Sequence, residues 1–272
     1  MEDIMDKFGF IGMGNMAKAL AQGFISKGVL KGSDVYAYAP NQEKLKKNAE
    51  LIGFIPTSSL EELCEKSDIL IMACKPYQIE DVLESLGKSL SGKTLISVAA
   101  GWDFAKYAEC FKELKIKDVK LQFVMPNTPA CVYEGVFLFE QMNSLEEDDR
   151  KALLEMFKSL GSVIELPSNL MGIGGAVSGC GPAFVDLMME SYADAAVKYG
   201  IPRATAYEMV AQTILGAAKL QLESGKHPAV LKDEVCSPGG TTIRGVAMLE
   251  ECGFRDACIA SIDAIMDFKS GK

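Results

Sequence analysis

Apolar positions divide the chain into two unlike parts. Up to residue 166, short apolar runs alternate with stretches of helical period; beyond it only the helical period remains. The runs at 8–11, 35–39, 69–74, 94–98, 121–125, 136–139 and 163–166 predict strands. The run at 69–74 is apolar throughout, as expected of a parallel strand buried on both faces. Helices are predicted in between. One covers 17–26 and stops at Gly28, while capping boxes at Ser59-x-x-Glu62 and Ser144-x-x-Glu147 start two more, the latter running through Ser159. This alternation predicts an α/β, Rossmann-like dinucleotide-binding domain over 1–166.

Pro167-Ser168-Asn169 marks a break, and residues 167–272 are expected to form an all-α domain. Helices are predicted at 183–199 and 203–223, then one ending at Glu251 and a last one at 256–268. The first two are apolar over most of their circumference, a pattern that belongs inside a core. A domain this small offers little to bury them in. A homo-oligomer interface is the expected remedy, and packing against the chain's own first domain is the alternative.

Composition narrows the function. The 272 residues carry a net charge of −9 with a pI near 4.9, and no basic block offers a nucleic acid or an acidic membrane a partner. The acidic start Met1-Glu2-Asp3 lacks the layout of a signal peptide, and no apolar run is expected to span a membrane. The eight cysteines are scattered without a Cys-x-x-Cys pair, which predicts free thiols in a cytoplasmic protein. A single histidine, His227, argues against a histidine zinc site and against a serine triad, so no metal is expected.

The first strand runs into Gly12-Met13-Gly14-Asn15-Met16-Ala17, a Gly-x-Gly-x-x-Ala turn that opens a helix. Gly12 permits the tight turn, Gly14 lets backbone approach a pyrophosphate, and Ala17 keeps the helix close to the strand. The second strand ends at Ala39-Pro40-Asn41 without the acidic residue that holds a ribose diol in NAD sites. Asn41 can cap the next helix, and Lys44, Lys46 and Lys47 follow. This favours NADP(H) with NAD(H) as the alternative; a merely solvated lysine face is the competing explanation. Lys75, Ala100 and Asn127 fall at the ends of later strands, where open α/β sheets bind ligands. For Lys75 and Asn127, cofactor contact and a structural role fit equally well.

In the helical part, Ser237-Pro238-Gly239-Gly240-Thr241-Thr242 reads as a helix entry with Ser237 as cap and Pro238 in the first turn. Bare amides at the positive end of a helix suit a carboxylate. No strong acid or base stands out nearby. A hydride transfer to a protonated imine needs little more than positioning, whereas alcohol oxidation needs a base.

These motifs resemble the pyrroline-5-carboxylate reductase family along essentially the whole chain. The resemblance rests on residues 10–17, Lys75-Pro76-x-Gln78, Met125-Pro126-Asn127-Thr128-Pro129, Ser178-Gly179-Cys180-Gly181-Pro182-Ala183 and, most specifically, Asp233-x-Val235-x-Ser237-Pro238-Gly239-Gly240-Thr241-Thr242-Ile243. It implies reduction of the cyclic imine 1-pyrroline-5-carboxylate to L-proline with NAD(P)H. Ser237, Gly239, Gly240 and Thr241 would hold the substrate carboxylate, and Thr242, the catalytic candidate, would hydrogen-bond the ring nitrogen. Gly12, Met13, Gly14, Asn15, Met16, Ala39, Asn41, Cys74, Lys75, Ala100 and Asn127 would line the cofactor. An intertwined homodimer through the helical domain is implied, with a larger homo-oligomer such as a decamer beyond it. Three positions depart from the family pattern: Leu60 replaces an asparagine near the adenine ribose, Cys180 a serine, and Gly172 an acidic residue.

Two other readings compete. A β-hydroxyacid dehydrogenase would use a catalytic lysine, for which Lys219 is the candidate, but Glu223 stands where its asparagine is expected. A dinucleotide-sensing regulator without turnover would use Thr241 and Thr242 only as a helix start.

Overall fold

A computed structural model describes residues 6–269; the acidic start Met1-Glu2-Asp3 and the last residues of the polar tail lie outside it. Eight strands form one sheet: β1 (Phe8–Ile11), β2 (Val35–Tyr38), β3 (Ile55–Pro56), β4 (Ile69–Met72), β5 (Thr94–Ser97), β6 (Lys120–Met125), β7 (Gly135–Asn143) and β8 (Gly161–Leu166). Their order is β3-β2-β1-β4-β5-β6-β7-β8. All neighbours are parallel except β6 and β7. Chain order reverses at β1, so a crevice opens beside its carboxyl end, where doubly wound sheets place dinucleotides.

The helices of this part are α1 (Asn15–Ser26), α2 (Gln42–Ile52), α3 (Leu60–Lys66), α4 (Ile79–Leu86), α5 (Phe104–Glu113), α6 (Glu147–Lys158) and α7 (Ser168–Ser178). They cover both sheet faces, which explains the unbroken apolar text of the central strands. Along β4, Ile71 joins the core under α1 while Leu70 and Met72 join the core under α3 and α4. On the first face Phe157 sits edge-on to Phe24, Phe137 and Phe139, with ring centroids 5.1–5.3 Å apart.

Local signals held in part. Ser59 caps α3 through the Glu62 amide at 3.1 Å, but Glu62 reaches back to the amide and hydroxyl of Ser58. The box expected at Ser144 does not form. Its hydroxyl accepts from the Leu121 amide at 2.8 Å, tying the β7–α6 connection to β6, and α6 starts later, at Glu147. Strand β7 runs on to Asn143 instead of stopping at Phe139.

The chain divides into two compact units between Gly179 and Cys180. That differs from the compositional break at 166/167 by one helix. Helix α7 packs on the sheet through glycines: a side chain at Gly174 would strike Leu138 and Leu166, and one at Gly175 would strike Met125.

The second unit holds α8 (Gly181–Lys198), α9 (Arg203–Ser224), α10 (Pro228–Val235), α11 (Thr241–Glu251) and α12 (Phe254–Lys269). Within this chain α8 buries only Ala193 and α9 only Ala206. Large apolar side chains stay open, including Leu187 at 63%, Leu222 at 76% and Val235 at 65% exposure. The expectation that no apolar run matches a membrane span needs correction. Residues Ser168–Lys198 are long and apolar enough by length and composition, with a mean hydropathy of 1.3 in the best window. The glycines at 179 and 181 divide this stretch in sequence, but helix continues on either side of them.

Candidate active site

The predicted cofactor residues gather along one edge of the first unit. Register brings Ile11 beside Tyr38 and Met72, Met72 beside Ser97, and Ser97 beside Phe123, so four loops leave the sheet at one level. Gly12 extends β1 by donating to the Tyr38 carbonyl at 2.8 Å, then turns with φ +94°. A Cβ there would meet the Ala73 carbonyl oxygen and the Cys74 nitrogen at 2.9 Å, so only glycine fits. Gly14 is different. Its φ is an ordinary −78°, and an added Cβ would meet no protein atom within 4 Å. The fold itself does not require glycine there, whereas a phosphate lying against the backbone does. Gly14 is also the N-cap of α1 and contributes no capping side chain. The first amides of the 12-residue helix therefore keep their donors for an anion. These features fit a dinucleotide pyrophosphate.

The other candidates fall into distinct classes. Met13 sends its side chain into the core, so only its backbone faces the turn, while Asn15 is exposed and Met16 half-buried. Ala39 and Asn41 follow β2. The Asn41 side chain caps α2 by accepting from the Lys44 amide at 2.9 Å, and the Ala39 carbonyl accepts from the Gln42 side chain at 3.0 Å. Lys44, Lys46 and Lys47 are exposed on that helix. Lys75 is exposed beyond β4, its backbone locked by a reciprocal pair of bonds with Gln78. Cys74 lies behind it with its thiol pushed up to about 11 by burial, which keeps it neutral and unreactive near pH 7. Ala100 is exposed on the turn after β5. Asn127 is buried and committed to the fold: its Nδ2 donates to the Ser178 carbonyl at 3.0 Å and its Oδ1 accepts from the Val136 amide at 2.8 Å.

In the second unit the predicted substrate residues form one turn, but not in the way the sequence suggests. Ser237 is not the helix cap. The Gly240 amide donates to the Ser237 carbonyl at 3.0 Å, and Gly239 has φ +70°. Proline second and glycine at positive φ third is the arrangement of a type II turn. Gly240 is then the cap, and α11 begins at Thr241. With no capping side chain present, the amides of Thr241, Thr242 and Ile243 start the helix unpartnered by it, and both threonines are exposed. The acids just before the turn are neutralised, Asp233 by Lys232 at 2.8 Å and Glu234 by Lys226 at 2.6 Å. An anion at the turn thus meets little uncompensated negative charge. His227 caps α10 by accepting from the Ala229 amide at 3.2 Å. Lys219 pairs with Glu223 at 3.7 Å on an exposed face, as a surface lysine does.

Sequence reading missed Glu140. It lies inside β7, fully buried, beyond the point where the apolar run suggested the strand would stop. A buried acid at the end of an apolar run looks in sequence like a strand terminator.

A mostly parallel sheet with a glycine turn at its switch point, followed by helices of which α11 starts without a capping side chain, fits an oxidoreductase of the nicotinamide-dinucleotide class. Comparison with known proteins narrows this. Residues 168–270 match a family described as pyrroline-5-carboxylate reductase dimerisation, and residues 7–101 match one described as NADP oxidoreductase coenzyme F420-dependent. Pyrroline-5-carboxylate reductase of Treponema pallidum is 41% identical over 95% of this chain and 98% of its own, and that of Escherichia coli 37% over 96% of each. The Plasmodium falciparum enzyme, solved with NADP bound, superposes with a TM-score of 0.85 at 34% identity, covering 97% of this chain and 96% of its own. The chain belongs to the pyrroline-5-carboxylate reductase family. A Mycobacterium tuberculosis 3-hydroxyisobutyrate dehydrogenase shares the fold alone, at 12% identity and a TM-score of 0.52.

The two glycines make opposite predictions. Gly12→Ala should destabilise the first unit by more than about 1 kcal/mol, because strain and collision add. Gly14→Ala should leave the urea midpoint unchanged while weakening dinucleotide affinity about tenfold or more, read by NADPH fluorescence titration. Unimpaired NADPH binding by Gly14→Ala would remove the phosphate role from this turn.

Proposed function

We propose that this protein reduces the C=N bond of 1-pyrroline-5-carboxylate to give L-proline, using NADP(H) in preference to NAD(H). The observation that carries this reading is the Ser237–Thr242 turn, an uncapped helix start with two exposed hydroxyls and its neighbouring acids paired. When bound, the dihydronicotinamide supplies the hydride, which goes to the imine carbon while the nitrogen takes a proton. The residues of the chain bind and orient. Amides at the start of α1, with Gly12 and Gly14, hold the pyrophosphate; Ala39, Asn41, Cys74, Lys75 and Ala100 line the rest of the cofactor. Asn127 shapes that edge from behind rather than by contact. Ser237, Gly239, Gly240 and Thr241 receive the substrate carboxylate, and the Thr242 hydroxyl hydrogen-bonds the ring nitrogen. Fixing both ends of a small rigid ring aims one face of the C=N bond. No side-chain base is required, consistent with the paired or capping roles of Lys219, Asp233, Glu234 and His227.

The NADP preference is supported by the lysines of α2 and the missing acid after β2. We assign cofactor binding to residues 1–166 and substrate binding with dimerisation to 167–272. The open apolar faces of α8 and α9 support a homodimer; we assign a decamer as the larger assembly, and the net charge of −9 speaks against a nucleic-acid or acidic-membrane partner. Free cysteines throughout the described residues support a cytoplasmic setting.

Purified protein should oxidise NADPH only when 1-pyrroline-5-carboxylate is supplied, with kcat/KM higher for NADPH than for NADH. Absence of imine-dependent turnover would overturn the proposal, and a strong NADH preference would overturn the cofactor assignment. Thr242→Ala should lose kcat/KM for the imine equivalent to about 1–3 kcal/mol of transition-state stabilisation while NADPH affinity stays unchanged. A proportional loss of NADPH affinity would place Thr242 elsewhere.

A further inference from the structure

The buried carboxylate of Glu140 has no part in the reaction just described. Strand β7 bulges against β6: Val124 faces Phe139 but Gln122 faces Asn143, so residues 140–142 stand opposite Phe123 alone. The Gln122 side chain fills the bulge, its Nε2 donating to the carbonyls of Phe123 at 2.8 Å and Glu140 at 2.9 Å. Bulges re-aim side chains. Here Glu140 is aimed at the start of α5, where its Oε2 accepts from the Phe104 amide at 2.8 Å.

That amide closes the turn that carries Ala100. At the near end of the turn, the Ser97 hydroxyl accepts from the Tyr107 hydroxyl at 2.9 Å and from the Ala99 amide at 3.4 Å. At the far end, Asp103 caps the Lys106 amide at 3.0 Å and Glu140 holds Phe104. Ala100 and Gly101 bridge the two anchors, exposed, with Gly101 at φ +79°. The second carboxylate oxygen of Glu140 is buried without a hydrogen-bond partner among the described residues. A buried carboxylate with one protein bond is costly, and an apolar residue like its neighbours Phe137 and Phe139 would fill the position at less cost.

We propose that Glu140 is a positioning residue for the cofactor: reaching across from β7 to the Phe104 amide, it clamps the β5–α5 turn so that Ala100 forms a fixed wall of the dinucleotide site. The proposal rests on the placement of Ala100 against the cofactor. Length should matter more than charge, because the clamp is a bond across a set gap. Glu140→Gln keeps the reach and an acceptor oxygen; Glu140→Asp keeps the charge and loses the reach.

The test compares both variants of the full-length enzyme by NADPH titration, steady-state kinetics and amide hydrogen exchange of residues 98–105. Glu140→Asp should weaken NADPH binding about tenfold and raise its KM, leave the KM for the imine unchanged, and speed exchange across the turn. Glu140→Gln should stay within about twofold of wild type in all of these. Equal losses in both variants, or NADPH affinity unchanged in Glu140→Asp, would overturn the proposal. If the wild-type protein bound no NADPH, the cofactor reading would fail by itself. Exchange would still decide the clamp, with unaltered exchange in Glu140→Asp overturning it.

Discussion

Helices α8 to α12 carry enough apolar surface for a core, yet within one chain they bury almost none of it. Leu187, Leu222 and Val235 are mostly exposed, and among the described residues the three buried apolar clusters all draw on residues before the break at Gly179. Exposed apolar area on this scale is characteristic of a protein–protein interface. The turn proposed to hold the substrate sits in this unit, between α10 and α11, so whatever completes the helical core also steadies that turn. The match of residues 168–270 to a family described as pyrroline-5-carboxylate reductase dimerisation supports association through this surface, and a second copy of the chain is the partner proposed above.

The first unit presents the opposite case, a fold complete in itself. Its central strands are buried on both faces, and their parallel register sets four loops at one edge. The chemistry asked of those loops is modest. Gly12 solves a backbone collision, Gly14 leaves room, and uncapped amides of α1 wait for an anion. The same device recurs in the second unit, where a type II turn delivers α11 with its first amides open. On the proposed function, two such helix starts, one for a pyrophosphate and one for a carboxylate, suffice for a reaction whose electrophile is already activated.

Much of this was legible in the sequence because it depends on local patterns. Unbroken apolar runs announced buried strands, Gly12 and Gly14 announced the turn, and the all-round apolar helices announced an external partner. What was hidden depends on distant partners. Ser144 reads as a helix cap but is drawn away by the Leu121 amide. Ser237 reads as a cap, yet Pro238 and Gly239 make a turn first and hand that position to Gly240. Asn127 looks like a strand-end ligand, but Ser178 and Val136 occupy its amide. Glu140 could not be read at all, since its meaning lies in an amide 36 positions away.

If a second copy completes the helical unit, activity and assembly must stand or fall together. Sedimentation velocity across a dilution series, with imine-dependent NADPH oxidation measured at each concentration, tests this directly. The expected result is a self-associated protein at high concentration whose specific activity falls in step with dissociation. A monomer that keeps full activity at every dilution would contradict it.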